Sequence, residues 1–143
     1  AKHSIVNRSA MRKNAKEKMQ QYQVRASGKS GVDTQVRLLS GGNQQKLIIA
    51  RELTDSAKLI IASQPTRGLD IGATEFVRQQ LINQRNAGKA VMLISADLEE
   101  IMALSDRIAV LFGGKIVGVL SREEATIQKI GLLMGGISEE EEK

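Results

Sequence analysis

The chain contains the stretch Leu39-Ser40-Gly41-Gly42-Asn43-Gln44-Gln45-Lys46, which runs directly into Leu47-Ile48-Ile49-Ala50-Arg51-Glu52-Leu53. Apolar residues at 47, 48, 50 and 53 recur at helical spacing, so the second half is predicted to be a helix. A serine and two glycines stand where that helix begins. The first N–H groups of a helix lack intrahelical partners and the dipole is positive there, so this start favours an anion such as phosphate. A simpler alternative stays open, in which Ser40 only caps the helix and the glycines shape a loop.

Composition indicates one soluble globular domain. The chain has 143 residues, of which 41% are apolar and 26% charged, as in ordinary globular proteins. Aromatic residues make up only 2%, which predicts an aliphatic core and disfavours base stacking on aromatic rings. With no cysteine and the single His3, neither a disulfide nor a metal site is predicted. No apolar run reaches the length of a membrane span and no signal peptide is recognised, so a cytoplasmic protein is expected.

Charge is unevenly distributed along the chain. The first thirty residues carry one acidic residue, Glu17, and many basic ones: Lys2, Arg8, Arg12, Lys13, Lys16, Lys18, Arg25 and Lys29. A helix is predicted from Ser9 to about Gln23, with an apolar stripe at Met11, Ala15, Met19 and Tyr22. Its basic faces would attract nucleic acid or an anionic membrane, although a solvated helix face is the simpler interpretation. Glu139 to Glu142 are expected to form a solvated tail.

Short apolar runs bounded by loops predict the strands. Buried strands are expected at 58–63 and 90–95 and a third strand at 107–112, and the turn Gly113-Gly114 predicts a hairpin to a strand at 115–119. Between them, helices are expected after the turn 64–70 up to Asn86, from Ser95 or Asp97 to Leu104, and after a Ser121–Glu124 capping box up to Met134. The first of these helices is expected to direct Phe76, Val77, Leu81 and Ile82 to the core and to end at Gly88. This order predicts an α/β fold with a mainly parallel sheet and flanking helices.

In such sheets the chemistry lies at the C-terminal ends of the strands. Those ends are Ser63-Gln64 and Ser95-Ala96-Asp97.

The octapeptide at 39–46 resembles the signature motif of the ATP-binding subunits of ABC transporters, and its Asn-Gln-Gln-Lys extension resembles the monosaccharide and nucleoside importers. The tract Pro65-Thr66-Arg67-Gly68-Leu69-Asp70-Ile71-Gly72-Ala73 resembles their D-loop region. The stretch 131–136 (Gly-Leu-Leu-Met-Gly-Gly) resembles them more weakly. The resemblance covers about residues 8 to 136 and implies the C-terminal part of a second nucleotide-binding domain, a partial P-loop NTPase (ABC ATPase) core.

The resemblance implies that the chain is divided into three parts. Residues 1–38 would be a basic helix and loop, the remnant of the helical subdomain. Residues 39–136 would be the C-terminal part of the ATPase core, and residues 137–143 an acidic, disordered tail. Within the core, the resemblance assigns nucleotide binding to Leu39, Ser40, Gly41, Gly42, Asn43, Gln44, Gln45 and Asp70.

Three departures from the family pattern matter. The phosphate-binding Gly-x-x-x-x-Gly-Lys-Ser/Thr loop does not occur, and Gly28-Lys29-Ser30 lacks both its upstream glycine and a preceding buried strand. Where the family has Asp-Glu after the Walker B strand, this chain has Ser63 and Gln64, which cannot supply negative charge to a cation or a general base. Gln64 retains the alternative role of orienting a water. The switch histidine is replaced by Ala96.

These features imply a fragment of an importer ATPase whose signature completes an ATP site on the first nucleotide-binding domain of the same polypeptide. ATP and Mg2+ are expected in the intact protein and none on the fragment alone, which should be inactive. Expected partners are transmembrane permease subunits, indirectly a solute-binding protein, and a second copy of the fragment. Two other functions stay open: a non-transport ABC ATPase acting on nucleic acid, and a non-enzymatic interaction module.

Overall fold

The computed structural model describes residues 7–26, 31–53 and 56–137. They form five helices and four strands: α1 (Arg8–Gln21), α2 (Gly41–Glu52), β1 (Leu59–Ser63), α3 (Ile71–Asn86), β2 (Ala90–Ile94), α4 (Leu98–Leu104), β3 (Arg107–Phe112), β4 (Lys115–Ser121) and α5 (Ile127–Met134). Single turns of 3-10 helix occupy Gly31–Asp33 and Val36–Leu38. The chain divides into two compact units, 1–61 with 65–92, and 62–64 with 93–143.

The strands form two pairs of opposite type. At one end of the first pair the Ala90 N–H donates to the Lys58 carbonyl (2.9 Å), and at the other the Gln64 N–H donates to the Ile94 carbonyl (2.7 Å). Both strands therefore run the same way, so β1 and β2 are parallel. The pair β3–β4 is the predicted antiparallel hairpin. Its turn glycines have φ of +55° and +76°, as a two-residue turn of this kind requires. The α/β prediction is confirmed, with one parallel and one antiparallel pair.

The first unit has a mainly aliphatic core formed by α2, α3 and the segment after α1, and Met19 of α1 packs against it. Its buried residues are Tyr22, Val24, Leu39, Ile49, Ala50, Leu53 and Val77. On α2 the structure buries Ile49 and leaves Ile48 46% exposed, so the predicted apolar face at 47, 48, 50 and 53 was wrong by one position. On α1, Met11 is exposed and the predicted stripe contributes to the core only in its C-terminal half.

The second unit has its own core between the hairpin and α5. Ile108 and Val110 of β3 and Leu120 of β4 are buried there with Ile130 and Leu133 of α5. Strand residues 108 and 110 alternate with exposed neighbours, the two-residue period of a strand with one covered face. Gly118 lies under α5, where a Cβ would come within 2.8 Å of Leu133 Cδ1.

Two predicted helix starts were wrong. α1 begins at Arg8 because Asn7 caps it, with Asn7 Oδ1 accepting the Ala10 N–H at 3.0 Å. α5 begins at Ile127 because Thr126 Oγ1 accepts the Lys129 N–H at 3.1 Å. The predicted capping box does form, since Ser121 and Glu124 exchange two hydrogen bonds, but it closes a turn and not the first turn of the helix.

Both strands predicted to be buried expose one face. On β1, Leu59 and Ile61 are 56% and 62% exposed, and Met92 on β2 is 53% exposed. The apolar runs predicted strands correctly, but a run of apolar residues alone does not say whether both faces are covered by this chain.

Several sequence features lie outside the described residues: His3, the segment 28–30 and the acidic stretch 139–142. Within residues 7–26, 31–53 and 56–137, no helix combines the length and apolarity needed to cross a bilayer.

Candidate functional site

At the start of α2, where a phosphate-binding site is predicted, Ser40 has an extended backbone and the helix follows directly after it. Ser40 has φ −62° and ψ 157°, and its side chain accepts the Asn43 N–H at 3.4 Å. The Ser40 carbonyl accepts the Gln44 N–H at 2.9 Å, so the helix proper starts at Gly41. Ser40 and Gly41 are exposed, and the first-turn N–H groups of any helix have no intrahelical acceptor. An anion can therefore reach this helix end from solvent.

The amide of Asn43 links this helix start to the segment that follows α1. Its Nδ2 donates to Ser40 Oγ at 3.0 Å, and its Oδ1 accepts the Arg25 N–H at 2.7 Å. Arg25 follows Val24, which is buried in the core of the first unit. The core thus fixes the position from which Arg25 holds Asn43.

The two glutamines of the signature make hydrogen bonds to flanking carbonyl groups. Gln44 Nε2 donates to the Leu39 carbonyl, and Gln45 Nε2 donates to the Pro65 carbonyl, both at 2.9 Å. Pro65 is buried in the turn that precedes α3. Gln45, expected near the nucleotide, therefore also ties α2 to the D-loop-like tract, and the sequence did not indicate this contact.

Asp70 and the start of α3 lie beside Gly42. Asp70 caps α3, since its Oδ1 accepts the Ala73 N–H at 2.8 Å. A Cβ at residue 42 would lie 2.9 Å from Ala73 Cβ and 3.6 Å from Asp70 Oδ2. The two helix starts approach so closely that residue 42 has no room for a side chain. Further along α2, the Lys46 ammonium lies 4.5 Å from the centre of the Phe76 ring of α3, a cation–π contact.

At the strand ends the structure places Ser63, Gln64 and Ala96. Gln64 has φ +47°, a left-handed conformation uncommon outside glycine and asparagine, and its N–H is bonded to Ile94. Ala96 is exposed and has no polar side-chain atom. The carboxylate that follows β2 is Asp97, whose Oδ1 accepts the N–H groups of Glu99 and Glu100 and caps α4.

These residues do not fit a bound divalent cation. Ser63 and Gln64 offer no charged oxygen, and Mg2+ is usually held through one or two carboxylates. Among the described residues, no group of three or more His, Cys, Asp or Glu side chains is arranged to hold a metal ion. The start of α2, by contrast, fits a phosphate group.

Comparison with known proteins identifies relatives over nearly the whole chain. The chain is similar to the guanosine import ATP-binding protein NupO of Bacillus subtilis, with 51% identity over 96% of this chain and 26% of that protein. It is 46% identical to the nucleoside import ATP-binding protein NupA of Lactococcus lactis, over 95% of this chain and 26% of that protein. It is also 46% identical to the ribose import ATP-binding protein RbsA of Clostridium tetani, over 66% of this chain and 19% of that protein. No protein-family model matches the chain.

Solved structures give the same result at the level of the fold. A dimeric ATP-binding cassette in a post-hydrolysis state, bound to ADP and Pi, matches with a TM-score of 0.66 and 26% identity, over 84% of this chain and 50% of that one. A metal-chelate type ABC transporter in an inward-facing conformation matches in fold alone, with a TM-score of 0.72 and 16% identity, over 94% of this chain and 52% of that one.

The chain spans about a quarter of the length of NupO and NupA. Its signature stretch, its fold and these similarities agree with one another. The chain belongs to the ATP-binding proteins of ABC transporters, in the group that includes nucleoside and sugar import proteins.

Proposed function

We propose that this chain is the signature-bearing part of the second nucleotide-binding domain of a cytoplasmic importer ATPase, and that it completes an ATP site on the first domain of the same polypeptide. The observation that carries the proposal is an asymmetry. The start of α2 is exposed at Ser40 and Gly41 and suited to a phosphate, whereas Ser63, Gln64 and Ala96 stand where acidic and histidine side chains would be needed.

The role of each site residue follows from its chemistry. The Ser40 hydroxyl and the first N–H groups of α2 donate to the γ-phosphate oxygens of an ATP held by the partner domain, where they stabilise charge that develops during hydrolysis. Asp70 caps α3, and its carboxylate lies close to Gly42 at this helix start. Mg2+ supplies charge neutralisation at the phosphates when bound, and its ligands come from the partner domain.

The transported solute is proposed to be a nucleoside. The two relatives that match 95–96% of the chain, at 46–51% identity, are a guanosine and a nucleoside import protein. The glucose and ribose import proteins match either a shorter part of the chain, 66–72% at 44–50% identity, or 92% of it at only 34% identity. Permease subunits in the membrane and a solute-binding protein would complete the importer, with this chain at the inner face.

ATP hydrolysis by the intact subunit tests the proposal. Ser40→Arg places a long cation where the phosphate would bind, and we expect turnover to fall by about a hundredfold or more, the loss typical of removing one charge-stabilising donor. Asn83→Arg adds the same charge at an exposed position near the end of α3 and should hydrolyse ATP normally. Normal turnover by the Ser40→Arg protein would refute the proposal.

A second arm uses the chain by itself. It contains no Gly-x-x-x-x-Gly-Lys-Ser/Thr loop to hold a nucleotide, so we expect no ATP hydrolysis by the chain alone. Hydrolysis should recover when the chain is mixed with the remainder of its subunit. Hydrolysis by the chain alone would require a different catalytic site.

A further inference from the structure

The side chain of Asn43 lies between two polar groups that leave it one orientation. An amide carries one accepting oxygen and one donating nitrogen, and the two are distinguished by their partners. The Arg25 backbone N–H can only donate, so the atom 2.7 Å from it must be Oδ1. The atom 3.0 Å from Ser40 Oγ is then the NH2 group, which donates to the serine.

This orientation determines what the serine hydroxyl can still do. A hydroxyl has two accepting lone pairs and one donating proton. Ser40 Oγ accepts from Asn43 twice, from the side-chain nitrogen at 3.0 Å and from the backbone N–H at 3.4 Å. Its accepting capacity is filled, so the remaining hydrogen bond of this exposed hydroxyl is a donated one.

We infer that Asn43 is a positioning residue that holds the Ser40 hydroxyl as a hydrogen-bond donor to the phosphate. The inference rests on the proposed function of Ser40. An ordinary serine cap needs only the backbone bond from the third helical residue, which leaves the hydroxyl free to rotate. The second bond from Asn43 removes that freedom before the phosphate arrives, and preorganised donors stabilise transition-state charge better than donors that must reorient.

The anchor for this arrangement is the core of the first unit. Val24 is buried and Ala26 packs against the same cluster, so the Arg25 N–H between them is held in place. Because Asn43 is bonded to this fixed N–H at one end and to the Ser40 hydroxyl at the other, the segment after α1 fixes the position of the hydroxyl at the start of α2.

A double-mutant cycle in the intact subunit tests whether Asn43 acts through Ser40. Asn43→Leu keeps the approximate shape of the side chain and removes both amide bonds. We expect turnover of ATP to fall about a hundredfold in Ser40→Ala and about tenfold in Asn43→Leu. In the Ser40→Ala background, Asn43→Leu should cause no further loss, because no hydroxyl remains to be oriented. KM for ATP should stay within about twofold throughout, since the partner domain holds the nucleotide.

Asn83→Leu is the matched control, because it makes the same change at an exposed position on α3, where Asn83 Oδ1 accepts from Gln79. Should Asn43→Leu fail to fold, Asn43→Asp replaces it. This variant retains the acceptor for Arg25 but accepts the Ser40 proton and turns it away from the phosphate. With the wild-type serine at position 40, turnover of ATP by this variant is expected to fall at least tenfold.

The outcomes separate the two proposals. Unchanged turnover in both Asn43 variants overturns the inference, as does a loss of equal size with and without the Ser40 hydroxyl, which would show a structural effect on α2. Normal turnover in Ser40→Ala would overturn the proposed function itself, and with it the role of Asn43.

Discussion

Gly42 lies where the start of α2 meets the start of α3, and its lack of a side chain is a packing requirement. A Cβ at this position would lie 2.9 Å from Ala73 Cβ, closer than two carbon atoms approach without strain. Ala73 is buried and its Cβ is fixed to the backbone, so no rotamer change relieves the contact. The two glycines of the signature therefore differ. Packing requires a glycine at residue 42, whereas nothing lies within 4 Å of a Cβ built at Gly41.

Gly42→Ala is therefore expected to lower the free energy of unfolding by about 1–3 kcal/mol, the usual effect of overpacking. Gly41→Ala, one residue earlier on the same helix, should be neutral or slightly stabilising, because alanine is the better helix former. Urea unfolding of the chain measures both. Ala73→Gly should restore part of the loss in the Gly42→Ala protein, and a Gly42→Ala protein as stable as wild type would contradict the contact.

At the scale of elements, the turn after β4 contains a carboxylate with a perturbed titration. The Ser121 backbone N–H donates to Glu124 Oε2 at 3.0 Å. This bond, followed by the bond with the Ser121 side chain, lowers the pKa of Glu124 below the ordinary value of a glutamate. Because the folded-state pKa lies below the unfolded one, the stabilisation by ionised Glu124 is present above the unfolded pKa and is lost as the pH falls through the folded one.

Glu124→Gln is expected to lower the thermal midpoint slightly at pH 7, where the wild-type carboxylate is ionised and bonded. Below the folded pKa the wild type has lost the same contribution, so the difference between the two proteins should disappear in strong acid. Glu123→Gln, which removes a charge from the same exposed turn and leaves both Ser121–Glu124 bonds in place, is the control. A difference that stays constant from pH 7 into acid would contradict the pKa shift.

The elements also show what the sequence can and cannot predict. Strands, helices and the hairpin turn were predictable because apolar period and paired glycines are local signals. The start of α5 was not, because Ser121-Arg-Glu-Glu124 and Thr126 are both valid capping sequences and only the packing of Ile130 and Leu133 selects Thr126. The position of Ser40 at the start of α2 was predictable from the helical pattern that follows it and from the family resemblance. The bond from Arg25 to Asn43 joins residues eighteen apart, and no local pattern encodes it.

At the scale of the whole molecule, each unit has its own core, yet β1 and β2 expose apolar side chains. Leu59, Ile61 and Met92 are each more than half exposed in the first unit, at alternating positions that share one face of the parallel pair. A two-stranded sheet leaves backbone groups unpaired at its edges and is marginally stable without further cover. Within residues 7–26, 31–53 and 56–137, the pair thus has both an apolar face and open edges on which a second copy can pair.

We therefore expect the isolated chain to self-associate through this face. Sedimentation equilibrium should give a mass above the 15.6 kDa of a monomer, rising with concentration. Ile61→Lys puts a charge in the centre of the face and should shift the equilibrium towards monomer, since burying an unpaired ammonium opposes association. Ile71→Lys places the same charge at a residue that is 85% exposed at the start of α3 and should associate like the wild type. A wild-type chain that stays at the monomer mass up to its solubility limit would rule out the association. Equal dissociation by both lysine variants would assign it to net charge and not to the face of β1 and β2.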